Sequence, residues 1–316
     1  MSERDQSYEV ATAYYLQGET MEVIARRLGV SRSTVSRMLK SARESGLVQV
    51  SIDPQRRTTT RVEERLGRRW GVRVSVVDVR DSAGSTARLD AVAGVAGALV
   101  SSMIGDDQSL GVAWGLTVSA VVERMPPKRT RGATVVQLNG AANTRTSGIG
   151  YAGDILAHAA QALDAQAHYF PTPAFFDYPE TKEALWREGV VQRVLALQRS
   201  VDVALFGVGS YRGDLPSHVY TGGYLTAEDM SGLVEQHVVG DVCTVFVRSD
   251  GSWEDVALNA RASGPTPRDL AKVPRRVCVM AGPDKVPALA GALRSGVVTD
   301  LVLDDAAARA LDRIDP

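Results

Sequence analysis

With 316 residues, 44% hydrophobic and 23% charged, the sequence is that of a globular chain long enough for two domains and excludes a disordered one. A net charge of −1 excludes a molecule drawn to nucleic acid as a whole, so any such attraction must be local. Cys243 and Cys278 form no CxxC pair and the four histidines (158, 168, 218, 237) have no ligand spacing, which argues against a disulfide framework or a metal site and suits a reducing cytoplasm. The start MSERDQSYEV has no apolar leader core, and no run approaches the roughly 18 apolar residues of a membrane span.

In chain order, YEVATAYYLQG (8–18) reads as an opening helix. Thr20 suits the N-cap of a second helix, in which Met21, Ile24, Ala25 and Leu28 recur at the spacing of one buried stripe and Gly29 supplies the stop. Ser31 then caps a third helix, 31–44, whose buried stripe is Val35, Met38, Leu39 and Ala42. The residues left to face a partner are Ser31, Arg32, Ser33, Thr34, Ser36, Arg37 and Lys40, and no carboxylate sits in the first turn. A positive helix start flanked by arginine suits a phosphate backbone. Arginine can also pair bidentately with guanine, while Ser and Thr contact bases less selectively.

Over residues 26–57, eight basic residues (Arg26, Arg27, Arg32, Arg37, Lys40, Arg43, Arg56, Arg57) against two acidic ones (Glu44, Asp53) leave a surplus of six positive charges. After Gly46, LVQVSI alternates Val48, Val50 and Ile52 with Gln49 and Ser51, a short strand placed as a wing. An αα-hairpin with a solvated basic face is the plainer reading. The short turn, the serine cap, the missing acids and the local charge agree instead on a small all-α (winged) helix-turn-helix domain, 1–53, that binds a double-stranded DNA operator.

DPQRRTTTR (53–61) reads as a hinge and RVEERLGRRWG as a connecting helix, so that 54–71 is a linker. From Val72 strands and helices alternate. Strand-like segments are VRVSVVDV, SLGVAW, TVVQL, VDVALFGVG, DVCTVFV, RRVCVMAG and VTDLVL; helices are expected over 85–104, 117–125, 151–163, 180–198, 226–236, 284–294 and 305–313. This alternation predicts, over 72–316, an α/β domain with a mainly parallel sheet. Ligands in such sheets bind beyond the carboxyl ends of the strands, where GVAWGLT, QLNGAANT, GVGSYRG, VVGD and AGPDK all fall.

Taken in order, the helix-turn-helix, GVAWGLT, VVQLNG, YFPTPAF, DVALFGVGS, VVGD, VCVMAGPDK with ALRSG, and LVLDDAAARAL make the chain resemble the SorC/DeoR-type sugar-responsive transcriptional regulators of bacteria over nearly its whole length. The resemblance implies a Rossmann-like effector domain related to phosphosugar isomerases and deaminases, which senses a sugar or phosphosugar and sets operator affinity as a homodimer or homotetramer. Carried onto this sequence, it implies a cleft formed by Gly115, Thr117, Asn139, Gly140, Gly207, Gly209, Asp241 and Lys285, with Arg145 as a phosphate ligand. Thr117 would hold phosphate or sugar oxygens, Asp241 would accept from hydroxyls, and Lys285 would pair with an anion. The family's usual AGG is AGPDK here, and Pro283 removes one amide donor from that turn.

Two other readings stay open. GIGYAG (148–153) matches a dinucleotide fingerprint and opens a helix, as in a redox-sensing repressor, but NGAANTRTS separates it from its strand. An enzyme with a DNA-binding head would need a base, for which Asp304, Asp305 and His218 are the candidates, yet no GxSxG, metal cluster or P-loop accompanies them. The reading carried forward is a cytoplasmic, non-enzymatic regulator without a cofactor or membrane contact.

Overall fold

The computed structural model describes residues 3–48, 60–212 and 214–316, and the chain divides into two compact units, Met1–Ile52 and Asp53–Pro316. In the first, α1 (Glu3–Ala11) runs into a π-turn at Thr12–Leu16, followed by α2 (Met21–Leu28) and α3 (Arg32–Glu44). Local chemistry sets the ends of α2 and α3. Thr20 Oγ1 accepts from the Val23 amide, Gly29 takes φ +66° to close α2, and Ser31 Oγ accepts from the Thr34 amide at 3.1 Å to open α3. Val10, Ala13, Ile24, Ala25, Val35 and Leu39 meet in one small core, with Met21, Leu28 and Met38 packed beside it. The apolar stripes of the sequence are therefore the buried ones. The expected wing falls largely on 49–52, outside the described residues, as does most of the expected hinge.

The second unit begins with α4 (Arg61–Trp70) and β1 (Arg73–Val77), then α5 (Ser85–Met103), β2 (Ser109–Val112), α6 (Leu116–Val122), β3 (Thr134–Gln137), α7 (Ile149–Leu163) and β4 (Gln166–His168). After these come α8 (Pro179–Leu185), α9 (Gly189–Arg199), β5 (Val203–Gly207), α10 (His218–Thr221), α11 (Ala227–Glu235), and the hairpin β6 (Val238–Val242) and β7 (Val245–Arg248). The chain closes with α12 (Pro267–Leu270), β8 (Arg275–Met280), α13 (Val286–Arg294), β9 (Asp300–Asp304) and α14 (Asp305–Leu311).

Seven strands form one sheet in the order β1-β9-β8-β5-β2-β3-β4, every pair parallel. Alternate side chains go to opposite faces of a strand. Val203, Leu205, Val277, Val279 and Val302 thus join one core with α5, α6 and α7, while Ala204, Phe206, Cys278, Met280, Leu301 and Leu303 join the other with α4, α13 and α14. Both faces are covered, so these strands read as continuous apolar runs.

Besides the short edge strand β4, which the sequence pattern does not predict, three segments depart from the sequence expectation. α4 is not a free connector: Leu66 is fully buried, and Glu63, which closes a capping box with Thr60, also accepts from the Val76 amide at 2.7 Å. DVCTVFV is not a strand of the main sheet but most of an antiparallel hairpin. Its turn residues Cys243 and Thr244 both have positive φ, a type I′ geometry that the sequence hides because neither is Gly, Asn or Asp. The single helix expected over 180–198 is broken at Trp186–Glu188 into α8 and α9.

At the lower edge of the sheet, Asp300 is 3% exposed and accepts from Arg73 (2.7 and 2.8 Å), Arg275 (2.7 and 3.0 Å) and the Thr299 hydroxyl (2.7 Å). Burial pushes this carboxyl up, but the bonds from Arg73, Arg275 and Thr299 outweigh it and hold the group at about 2. A carboxyl held below its unfolded value stabilises the fold above pH 4 and loses that contribution as pH falls toward 2. Asp300→Asn is expected to lower stability at pH 7 by about 2 kcal/mol and to flatten the acid limb of a urea-denaturation series between pH 5 and 2. An unchanged acid limb would contradict this role.

Candidate functional site

Two surfaces carry the chemistry expected from the sequence, one in each unit. On α3, Ser31, Arg32, Ser33, Ser36, Arg37 and Lys40 are exposed and Thr34 is half-buried, all opposite Val35, Leu39 and Ala42. Ser31 Oγ lies 2.7 Å from Ser33 Oγ and 2.8 Å from Thr34 Oγ1, and the Arg37 guanidinium donates to Thr34 Oγ1 at 3.4 Å. The first turn of α3 holds no acid. Yet Glu22, from the start of α2, pairs with Arg32 at 3.0 Å, a neighbour that linear reading did not show. Both side chains are more than half exposed, so the pair is weak.

The second surface lies where the sheet order reverses. The chain leaves β2 toward β3 but leaves β5 toward β8, and these neighbouring strands diverge at their carboxyl ends. A cleft opens there, at the carboxyl ends of the strands where ligands of such sheets bind. Gly115, Thr117, Asn139, Gly207, Gly209, Asp241 and Lys285, far apart in sequence, all line it. Gly115, with φ +151° and ψ 163°, occupies a region essentially open only to glycine and swings the chain from β2 into α6. At Gly209 the backbone pairs with Asp241 in both directions (2.8 and 3.1 Å), and a Cβ there would fall 1.8 Å from Asp241 Oδ1. Glycine is what allows the carboxylate to lie flat over the β5 loop.

Asp241 is 4% exposed, and its Oδ2 accepts from the Thr244 amide at 3.1 Å. Its Oδ1 makes no hydrogen bond of good geometry, nor does Asn139 Oδ1, on a side chain 1% exposed; the buried Tyr220 hydroxyl lies near enough to the carboxylate to favour its charge. Burial pushes the Asp241 carboxyl up to about 6, against the pull of the Tyr220 hydroxyl, the Thr244 amide and the Lys285 ammonium. Burial also lowers the Lys285 ammonium, opposed by Asp241 and Asp284, and among the described residues it forms no hydrogen bond or ion pair. Orphaned buried polar atoms cost about 1–3 kcal/mol each, and two of them, on Asp241 and Asn139, belong to residues that line this one cleft.

The wall is aromatic. Trp114 stacks on Tyr224 (centroids 4.9 Å) and meets His218 edge-on at 6.3 Å, while its indole N–H donates to Gly140 O at 2.7 Å. Ser217, His218 and Thr244 line the cleft but were not singled out as binding residues from sequence. Ser217 and His218 arrive at the end of the long loop after β5, where no motif marks them. Trp114 stood within GVAWGLT, and its neighbour Gly115 was the only available hint.

Gly140 and Arg145 do not line the cleft. Gly140 is pressed against Thr172 and Pro173, and its amide donates to Ser263 Oγ at 3.0 Å. Arg145 is exposed on a loop that Asn143 Oδ1 folds back through the Arg145 and Thr146 amides, and its guanidinium lies beside Gly223. Gly148 caps α7 with its own amide tied to Thr146 Oγ1, and it packs against Ala141, so α7 starts at Ile149 and not directly at the end of β3, which is Gln137. Asp304 is fully buried and spends its carboxylate on the Gly282, Ala306 and Ala307 amides and on Arg88. Asp305 pairs with Arg309 at 2.6 Å. Among the described residues no group of three or more His, Cys, Asp or Glu is placed to hold a metal, and no helix is long and apolar enough to cross a membrane.

Residues 55–311 match the family described as "Putative sugar-binding domain", and residues 10–51 match a homeodomain-like domain. The chain is 29% identical over 309 residues to the deoxyribonucleoside regulator of Bacillus subtilis, covering 96% of each. A domain described as that of "a possible sugar-binding transcriptional regulator" from Arthrobacter aurescens TC1 is 44% identical and superposes with a TM-score of 0.75 over 81% of this chain and 98% of that one. Full-length SorC, the sorbitol operon regulator of Klebsiella pneumoniae, is 25% identical with a TM-score of 0.71 over 96% of this chain and 97% of that one.

Proposed function

This chain belongs to the SorC/DeoR-type sugar-binding transcriptional regulators, and from that premise we propose how its residues divide the work. α3 enters the major groove with Arg37 on a base and Arg32, Lys40 and the Ser31–Thr34 hydroxyls on phosphates or bases. The cleft at the ends of β2 and β5 holds a sugar or phosphosugar. Asp241 and Asn139 accept from its hydroxyls, Lys285 meets its anionic or most electronegative end, and Trp114 lies against its apolar face. The carrying observation is the pair of buried acceptors without a partner, Asp241 Oδ1 and Asn139 Oδ1, on two residues that line the cleft.

The cleft acts as a sensor rather than a catalyst: Asp304 and Asp305 are committed to structural bonds, and His218 sits in the aromatic wall. The protein works in the cytoplasm as a homodimer or homotetramer that presents paired heads to a palindromic operator. Effector binding shifts the balance between arrangements of the heads with different DNA affinity, by as much as its own affinity differs between them.

A thermal-shift panel of pentoses, hexoses, polyols, their phosphates and NAD(H) tests this directly. A ligand at a hundred times its dissociation constant stabilises by about 2.7 kcal/mol, which a melting curve resolves. One sugar or phosphosugar should move the melt and the operator affinity together. A shift with NADH alone, or turnover of the sugar phosphate, would overturn the reading.

A further inference from the structure

We infer that a second cavity, between α9 and the segment 263–273, binds a small organic anion with an apolar or aromatic body. It holds about 230 Å³, is open to solvent on one side, and shares no lining residue with the effector cleft. Leu138, Trp186, Leu195, Leu270 and Val273 form its apolar floor.

The polar groups around that floor are unbalanced in charge. Lys182 is half-buried, with its ammonium 5.7 Å from the centre of the Trp186 ring and one bond donated to Ala260 O at 3.2 Å. Burial lowers it, with Glu183 opposing. Arg199, at the end of α9, has no hydrogen bond or ion pair among the described residues. The lining carboxylate, Asp269, is already taken by the Thr266 hydroxyl (2.7 Å) and Lys272 (3.0 Å). Lys182, beside the indole ring, and Arg199 are thus lining cations with no ion pair among the described residues. Gln198, 7% exposed, adds an acceptor: its amide nitrogen donates to Gln137 O and Leu138 O at 2.8 and 3.1 Å, while its Oε1 accepts from nothing among the described residues. An aromatic carboxylate or sulfonate matches this set, with the ring on Trp186 and the anion between Lys182 and Arg199.

The cavity and the effector cleft share a wall. Leu138 lines one and the next residue, Asn139, lines the other. Gly264 is packed under the β6–β7 turn so closely that a Cβ would fall 1.7 Å from Cys243 O, and Cys243 and Thr244 line the effector cleft. That turn holds two non-glycine residues at positive φ, one of them β-branched, so it stores strain that an occupant on either side can bias. The second site is thus placed to tune the first, with the same coupling factor in both directions.

Calorimetric titration of the full chain with 8-anilinonaphthalene-1-sulfonate tests the site whether or not any sugar binds the cleft. One saturable equivalent per chain is expected. The double variant Lys182→Ala/Arg199→Ala, which alters only partly or fully exposed side chains, should weaken it by about tenfold or more. Leu195→Trp, which fills the floor, should abolish it with an unchanged circular dichroism spectrum. Wild-type affinity and stoichiometry in the double variant would overturn the site. For coupling, saturating dye should change the dissociation constant of the stabilising sugar by about fivefold or more; an unchanged constant would overturn it.

Discussion

Asp241→Asn is expected to make the ligand-free protein more stable at pH 7 while removing its response to the effector. The carboxyl is fully buried and is pushed from an ordinary 3.8 to about 6, so ionising it inside the fold is opposed by roughly two pKa units, up to about 3 kcal/mol. Because the folded value lies above the unfolded one, the folded state holds its proton longer. Stability therefore falls as pH rises from about 4 to 6 and stays lower above that. Asparagine keeps the acceptor for the Thr244 amide and removes the charge, so the variant should melt several degrees higher at neutral pH and lose the pH dependence in that window. It also loses the ionised carboxylate of a residue that lines the cleft, and the sugar-induced shift should disappear. In the parent protein, effector affinity should decline as pH drops below about 6. A variant that is less stable than the parent at pH 7, or that still responds to the sugar, would show that Asp241 is a structural acid.

Arg37→Ala is expected to have the opposite profile, with effector response and melting temperature intact and specific operator binding lost. Arg37 is exposed, its only hydrogen bond among the described residues is a long one to Thr34 Oγ1, and its Cβ lies on the face opposite the buried Val35 and Leu39. A bidentate contact to a guanine is worth about 1–3 kcal/mol, or roughly ten- to a hundredfold in affinity. In a symmetric dimer both half-sites lose it and the factor is squared, which brings specific binding near the nonspecific level. Lys40→Ala should instead weaken binding to all sequences alike and lower the slope of affinity against salt by about one. Fluorescence anisotropy on operator and scrambled duplexes at two salt concentrations separates the two effects. Retained discrimination in Arg37→Ala would move the base-reading role elsewhere on α3.

Taken together, the two variants separate the units: one silences the cleft and leaves the head, the other silences the head and leaves the cleft. The stabilising effect expected of Asp241→Asn also accounts for the cleft as a strained region. The buried acid, the orphaned Asn139 acceptor and the positive-φ turn at Cys243–Thr244 all cost stability without ligand, which is the usual signature of a site kept for binding.

What could be read from the sequence alone follows from how local each cause is. Helices α2 and α3 were legible to the residue, because a side-chain cap, a 3.6-residue stripe and a left-handed glycine all act within one or two turns. The parallel sheet was legible as a class, because strands buried on both faces must be apolar throughout. The glycine-rich strand ends foretold a cleft, and seven of its lining residues were named in advance through family resemblance.

Only the tertiary structure decided the rest. The order of strands sets where β2 and β5 diverge, and no local signal encodes that order. Gly140 and Gly209 look alike in sequence, yet one glycine yields to the Thr172–Pro173 backbone and the other to the Asp241 carboxylate. The β6–β7 turn escaped notice because Cys243 and Thr244 are held at positive φ by packing and by the Asp241–Thr244 bond, not by their own preference. Likewise, Glu22 reaches Arg32, and Ser217 and His218 reach the cleft, only after distant segments have been brought together. Propensity and periodicity act over a few residues. The partner of a buried polar group is chosen by the whole fold.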